Sequence, residues 1–135
     1  AEKPTIWSRT AWNATNPNPD RLVARTREPV RIIFHHSAEK FSDTDFSDVV
    51  AEIQRIQTWH MAIKGKCDIA YHFIIDPAGR IWTGAEIDDH QRGHAEGYFD
   101  DIGVLILGNF EPEDENDHNP NTLNSNQKNA MIALS

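Results

Sequence analysis

An α/β fold, a central mixed β-sheet flanked by helices, is what this sequence predicts, and three observations predict it. Two short runs of almost unbroken apolar residues, at 32–34 and 104–107, read as strands covered on both faces. Between them Val49, Ile53, Ile56, His60 and Ile63 recur at steps of four and three, the spacing of one helix face. Residues 69–75 and 80–83, rich in Ile, Phe, Tyr and Trp, flank turn chemistry at 76–79, which makes a β-hairpin and so an antiparallel pair within the sheet.

Bulk properties bound the function. The 135 residues suffice for one domain that buries its own core without disulfides or metals as obligatory staples. A net charge of -8 argues against general nucleic-acid binding, which needs clustered Lys and Arg to neutralise phosphates. No apolar run approaches the roughly 20 residues of a membrane helix. Cys67 is the one cysteine, so neither an intrachain disulfide nor a paired-cysteine metal knuckle can form. The opening Ala1-Glu2-Lys3-Pro4 is compatible with a removed signal peptide or with a trimmed chain, and the expectation carried forward is export, to the periplasm or outside the cell.

Each element follows from local chemistry. Residues 1–29, with Pro4, Pro17 and Pro19 and a turn-prone run at 13–20, read as an arm rather than a helix, whose Trp7 and Trp12 pack on the domain or cover a pocket edge. Arg31-Ile32-Ile33-Phe34-His35-His36-Ser37 reads as a buried strand ending in two imidazoles, with the rest of the chain arranged around that end. Side chains alternate across a strand, so His35 and His36 face opposite sides, one toward a site and one supporting it. The helix that follows takes Asp45 or Ser47 as its cap and Gly65 as its stop, with Trp59-His60-Met61 in its last turn. A strand over 69–75, a turn at Asp76-Pro77-Ala78-Gly79 and a return strand over 80–83 make the hairpin, with Tyr71 and Phe73 on one face and His72 on the other. Residues 84–100 form a loop containing His90 and His94. Residues 102–108 are apolar throughout and therefore central, and Gly103 marks a close approach. After an acidic loop at 111–121, Asn124 or Ser125 caps a helix whose apolar Met131, Ile132 and Leu134 have only begun when the chain stops, so the domain is expected to continue in the parent protein.

Taken in order, Arg9-Thr10-Ala11-Trp12-Asn13-Ala14, Ile32-Ile33-Phe34-His35-His36-Ser37-Ala38, Ile56-Gln57-Thr58-Trp59-His60-Met61, Asp68-Ile69-Ala70-Tyr71-His72-Phe73-Ile74-Ile75, Gly93-His94-Ala95-Glu96-Gly97-Tyr98 and Ile102-Gly103-Val104 resemble one family. It is the peptidoglycan recognition protein and type 2 N-acetylmuramoyl-L-alanine amidase family, including the phage T7-type lysozyme that is an amidase. The resemblance implies a peptidoglycan recognition protein-like amidase fold over residues 1–135, with 1–29 packed on it as an arm, the last helix cut short and the C-terminal part of the family's domain missing.

The same resemblance implies a function. It is zinc-dependent cleavage of the amide between the lactyl group of N-acetylmuramic acid and the L-alanine of the peptidoglycan stem, with peptidoglycan or muropeptides as partner. The cofactor is Zn2+, held by a histidine at the end of the first central strand, which His35 matches, and by a later His and a Cys or Asp that fall beyond Ser135. A C-terminal fragment of the same parent is then an expected partner. The local residues His36, His60, Cys67, His72, His90, His94 and His118 show no helical His-x3-His pair that would replace those ligands. Tyr71 occupies the place of the family's catalytic tyrosine, from which a hydroxyl can bond a metal-bound water or a developing oxyanion. Where other branches carry a general-base Glu, this chain has Val104 and Leu105. His36, Ser37, His60 and His94 match positions lining the substrate groove, while Ala85 replaces an arginine frequent in animal members. Cys67 matches a half-cystine whose partner is missing here, and so reads as a free, buried thiol. The alternative is a non-catalytic peptidoglycan-binding module that keeps the groove without the metal ligands, and a further one is an inhibitor or scaffold that uses the fold for protein contacts. Tyr71 retained beside His35 favours the amidase.

Overall fold

The computed structural model describes residues 5–16, 31–36, 41, 43–65, 68–85, 101–108 and 124–134. Ser37, Cys67, His90, His94 and His118 lie outside them, as do the long loop after the hairpin and the acidic loop. The described elements run β1 (Ile6–Trp7), a 3-10 turn (Arg9–Trp12), β2 (Arg31–His36), α1 (Phe46–Thr58), a π turn (Trp59–Ile63), β3 (Phe73–Ile75), β4 (Ile81–Thr83), β5 (Asp101–Ile106) and α2 (Ser125–Leu134).

The strands join in the order β1-β4-β3-β5-β2. β3 and β4 are antiparallel, and the other three pairs are parallel, so the sheet is mixed as expected. β5 lies between β3 and β2, in register Phe73↔Val104 and Phe34↔Val104, which explains an all-apolar sequence with Val104, Leu105 and Ile106 buried. One face of the sheet carries α1, whose Val49, Ile53 and Ile56 pack with Trp12, Ile69, Ile74, Trp82 and Leu105. The other face carries α2, where Ala130 packs with Ile75, Ile81, Val104 and Ile106. No helix among the described residues is long and apolar enough to cross a membrane.

Local signals account for the helix ends. Asp45 is the cap of α1: its Oδ1 accepts the Asp48 N–H at 3.1 Å and satisfies one of the free donors of the first turn. At α2, Asn124 Oδ1 accepts the Gln127 N–H at 2.8 Å while Gln127 Oε1 accepts the Asn124 N–H at 3.3 Å, a reciprocal cap. The hairpin turn is organised by the buried Asp76 carboxylate, which accepts from the N–H groups of Ala78 and Arg80, from the Trp82 indole and from the Arg80 guanidinium. Gly79 closes that turn at φ +86°, a backbone region that L side chains rarely enter.

Three expectations change. β2 is not a central strand but stands at the edge of the described sheet, with Ile32, Ile33 and Phe34 half-buried. A short apolar run does not itself distinguish a central strand from an edge strand, and β2 is lined by the sheet on one side only. The strand expected over 69–75 narrows to Phe73–Ile75, because residues 68–72 bend. The bend breaks the alternation, so Tyr71 packs on the α1 side and Phe73 on the α2 side instead of sharing a face. The N-terminal segment, expected as an arm, contributes a strand parallel to β4 and places Trp12 fully in the core. Trp7 stays partly exposed against Phe46 and Trp82.

That segment is held by polar bonds as well. The Arg9 guanidinium donates to the Gly84 carbonyl at 2.6 Å and pairs with the buried Asp68 carboxylate at 2.7 Å. Asp68 Oδ1 also accepts from Gln57 Nε2 at 2.8 Å and from the Ile69 N–H at 2.7 Å. The Trp12 indole donates to the Thr83 carbonyl at 2.8 Å. Arg9→Ala would strand a buried carboxylate, and is expected to lower stability by about 3 kcal/mol, read from urea unfolding. Gly84 is constrained by contact: a Cβ there would overlap the Tyr71 carbonyl oxygen and meet Ile74 Cδ1 at 3.0 Å. Gly84→Ala is therefore expected to cost about 3 kcal/mol, seen as a lower urea midpoint at unchanged slope.

Candidate functional site

The described site residues converge where β2 ends. Ile32 and Phe34 pack with the α2-side cluster, so alternation turns Ile33 and His35 toward the α1 side and His36 away from it. His35 meets Tyr71 there, ring centroids 5.5 Å apart at an interplanar angle of 55°. Tyr71 in turn meets His60 at 5.8 Å and 47°, and His60 meets Trp59 at 5.6 Å and 34°. Four rings from three segments thus form a row. The structure brings His35, Tyr71 and His60 together and sets His36 on the opposite face of β2; Ser37 and His94 lie outside the described residues.

The helix delivers His60 by a change of pitch. At Thr58 the α-helix gives way to a π turn closed by the Lys64 N–H to the Trp59 carbonyl at 3.1 Å, and Gly65 ends the segment at φ +68°. His60 Nδ1 accepts the Ala70 N–H at 3.0 Å, which ties it to the bend carrying Tyr71. A neutral imidazole accepting at Nδ1 carries its proton on Nε2, so His60 serves the row as a donor.

His72 has a different task. It is buried, its N–H donates to the Gly103 carbonyl at 2.8 Å, and its Nδ1 accepts the Gly103 N–H at 3.0 Å. The expectation that Tyr71 and His72 serve different surroundings holds, with His72 locking β5 to the bend.

Electrostatics differ between the two rings at the β2 end of the row. Burial, with the neighbouring His36 as a second cause, holds His35 below the usual 6.5, so it is the neutral imidazole at pH 7. Burial raises the Tyr71 phenol above its usual 10, so near neutrality it is a hydrogen-bond donor and not a phenolate. In the row His35 is thus a neutral imidazole and Tyr71 a protonated phenol. A separate cleft of about 560 Å3, between β1, the β3–β4 turn and α2, involves none of these rings. Among the described residues no three His, Cys, Asp or Glu side chains come together as a metal-binding group, so His35 and its described neighbours do not by themselves fit a zinc ion.

One residue of the row, Trp59, is absent from the sequence-derived set of site residues. Its signal was present: a large aromatic one position off the apolar stripe of Ile56, His60 and Ile63. The pH behaviour of His35 is directly measurable. Its NMR titration midpoint is expected below 6.5, and because the unfolded chain protonates first, stability falls as pH drops from about 6.5 through that midpoint. His35→Gln should remove this part of the acid dependence.

No protein-family model matches the chain. Peptidoglycan recognition protein 3 of Mus musculus is 29% identical over 108 residues, which are 79% of this chain and 30% of that protein. Peptidoglycan-recognition protein SD of Drosophila melanogaster is 31% identical over 110 residues, 78% of this chain and 56% of the relative. The chain thus spans less than two thirds of the length of either. Among solved structures, Drosophila PGRP-SD superposes at TM-score 0.80 and 22% identity over 97% of this chain and 72% of that one. Human PGRP-IBETAC in complex with glycosamyl muramyl pentapeptide superposes at 0.76 and 21% identity, over 97% and 73%. By sequence over about four fifths of its length the chain is similar to peptidoglycan recognition proteins, and over nearly all of it the fold is theirs.

Proposed function

We propose that this chain recognises peptidoglycan, taking a muramyl peptide across the row formed by His35, Tyr71 and His60. The observation that carries the reading is the convergence of these three side chains, from β2, the 68–72 bend and the π turn, at the end of two parallel strands. Strand ends of this kind are where open α/β sheets place ligands. The stem peptide is rich in carbonyl and carboxylate oxygens, and the Tyr71 hydroxyl and the His60 Nε2–H are donors suited to them. Related structures support the ligand class: besides the human complex, a Drosophila PGRP-LB variant is in complex with tracheal cytotoxin, at TM-score 0.78 and 23% identity. A domain that meets peptidoglycan works outside the cytoplasmic membrane, so export belongs to this reading.

Hydrolysis is the second reading, favoured by one pair of residues. Tyr71 stands against His35, a protonated phenol beside a neutral imidazole, as the N-acetylmuramoyl-L-alanine amidase resemblance implies. That activity calls for Zn2+, and the described residues supply His35 as a candidate ligand without completing a set. Within them the available chemistry is hydrogen bonding and orientation: Tyr71 can donate to the scissile carbonyl, and His60 can hold the stem beside it.

Calorimetry with purified muropeptides, run in chelator and again in zinc, with chromatography of the products, separates the two. Recognition without hydrolysis predicts binding in both buffers, no free stem peptide, and about tenfold weaker binding for Tyr71→Phe. Release of stem peptide that needs zinc and is lost in Tyr71→Phe would establish the amidase. Absence of binding in either buffer would end the peptidoglycan reading.

A further inference from the structure

Two neighbouring carbonyls in the bend before β3 point the same way. The Tyr71 carbonyl accepts the Ala85 N–H at 2.8 Å and the His72 carbonyl accepts the Gly84 N–H at 2.7 Å, so both face the chain leaving β4. In a regular strand successive carbonyls point to opposite edges, and one of these two would face β5 instead. The register says which. β3 and β5 are parallel with Phe73 opposite Val104, and carried two residues back that ladder gives the Gly103 N–H to the Tyr71 carbonyl. With that carbonyl turned to Ala85, a side chain meets the donor on β5: His72 Nδ1 accepts the Gly103 N–H at 3.0 Å. An imidazole thus stands where the ladder would put a peptide carbonyl, and the buried His72 also holds Gly103 through its own N–H.

We propose that His72 is the positioning residue of Tyr71: by taking over the Gly103 N–H it frees the Tyr71 backbone to turn, and the turn carries the phenol to the face where His35 lies. The inference deepens the peptidoglycan reading above and rests on it for the use of the phenol. Regular alternation puts Tyr71 with Phe73 on the α2 side, away from His35. In the structure its ring packs on the α1 side, 5.5 Å from the imidazole of His35. Returning the Tyr71 carbonyl to Gly103 restores the alternation, so one hydrogen-bond acceptor decides between the two faces. That acceptor, Nδ1, is bonded to Cγ, the same place that Oδ1 takes in an asparagine, whereas a leucine of similar reach has no lone pair there. A buried N–H without any acceptor is costly, so a side chain that cannot accept favours the regular strand.

The bond is tested in the wild type and its consequence in variants. In isotope-labelled wild type, scalar coupling across the hydrogen bond is expected between the Gly103 amide nitrogen and His72 Nδ1, and its absence overturns the proposal. His72→Asn keeps an acceptor. It should retain the nuclear Overhauser contacts between the Tyr71 and His35 rings and bind purified muropeptide, with chelator present, within about twofold of wild type. His72→Leu has no acceptor, and should lose those contacts and bind about tenfold more weakly, as Tyr71→Phe does. In the Tyr71→Phe background the same His72→Leu change is expected to cost no more than about twofold, because the hydroxyl it places is gone. Equal losses in both backgrounds, or intact ring contacts in folded His72→Leu, mark a purely structural role and overturn the proposal. Should His72→Leu fail to fold, the coupling and His72→Asn decide, and a folded His72→Asn that loses the ring contacts overturns it. Wild type that binds no muropeptide ends the peptidoglycan reading, while the coupling and the ring contacts still decide the positioning.

Discussion

The ion pair between Arg9 and Asp68 is the constraint on which the site depends. Asp68 is buried, and a carboxylate out of water survives there only if its charge and its lone pairs are met. Arg9 supplies the charge, and Gln57 and the Ile69 N–H supply the further bonds. These partners come from three separate stretches of chain: the N-terminal segment, the last turn of α1, and the start of the bend. Satisfying one carboxylate therefore fixes three segments relative to one another. Gln57 extends the arrangement by a reciprocal pair of bonds with the backbone of Thr15, at 2.9 Å each.

The rings inherit their positions from that arrangement. Two residues beyond Asp68, the Ala70 N–H bonds His60, and one residue further Tyr71 lies between His60 and His35. On the other side of the bend, His72 and Gly103 exchange two bonds, which sets the bend against β5, and β5 in turn sets the register of β2 and hence of His35. The bend is thus fixed from both sides by buried polar groups with matched partners. Such a network costs desolvation, and its return is a single geometry at the mouth of the sheet.

Much of the fold could be read from residues alone, because the deciding interactions were local. The cap of α1, narrowed to Asp45 or Ser47, the stop at Gly65, the Asp76 turn and the central position of the strand containing Val104 each follow from side chains within a few residues of the feature. The edge position of β2 could not be read, since it depends on which strand the chain pairs next to it, and an apolar run looks the same in either place. The facing of Tyr71 and Phe73 failed for a related reason: strict alternation assumes a regular ladder, and the bend is imposed by distant partners, Arg9 and Gly103. Of the candidate site, His35, Tyr71 and His60 stand in motifs that the sequence singles out, and the structure places their rings next to one another. Trp59 was not legible, because one aromatic off a helical stripe acquires meaning only when its neighbours in space are known.

The π turn after Thr58 carries one more consequence. A π turn is an α-helical turn holding one extra residue, and each residue of an α-helix advances the side chains by about 100° around the axis. Removing a single residue from this turn would let regular helix run through, rotating everything after it by that amount while α1 upstream stayed as it is. The histidine and the indole could then not both keep their present directions. The row is thus separated from an ordinary helix surface by the loss of a single residue, so the length of this turn matters to it as well as the rings it carries.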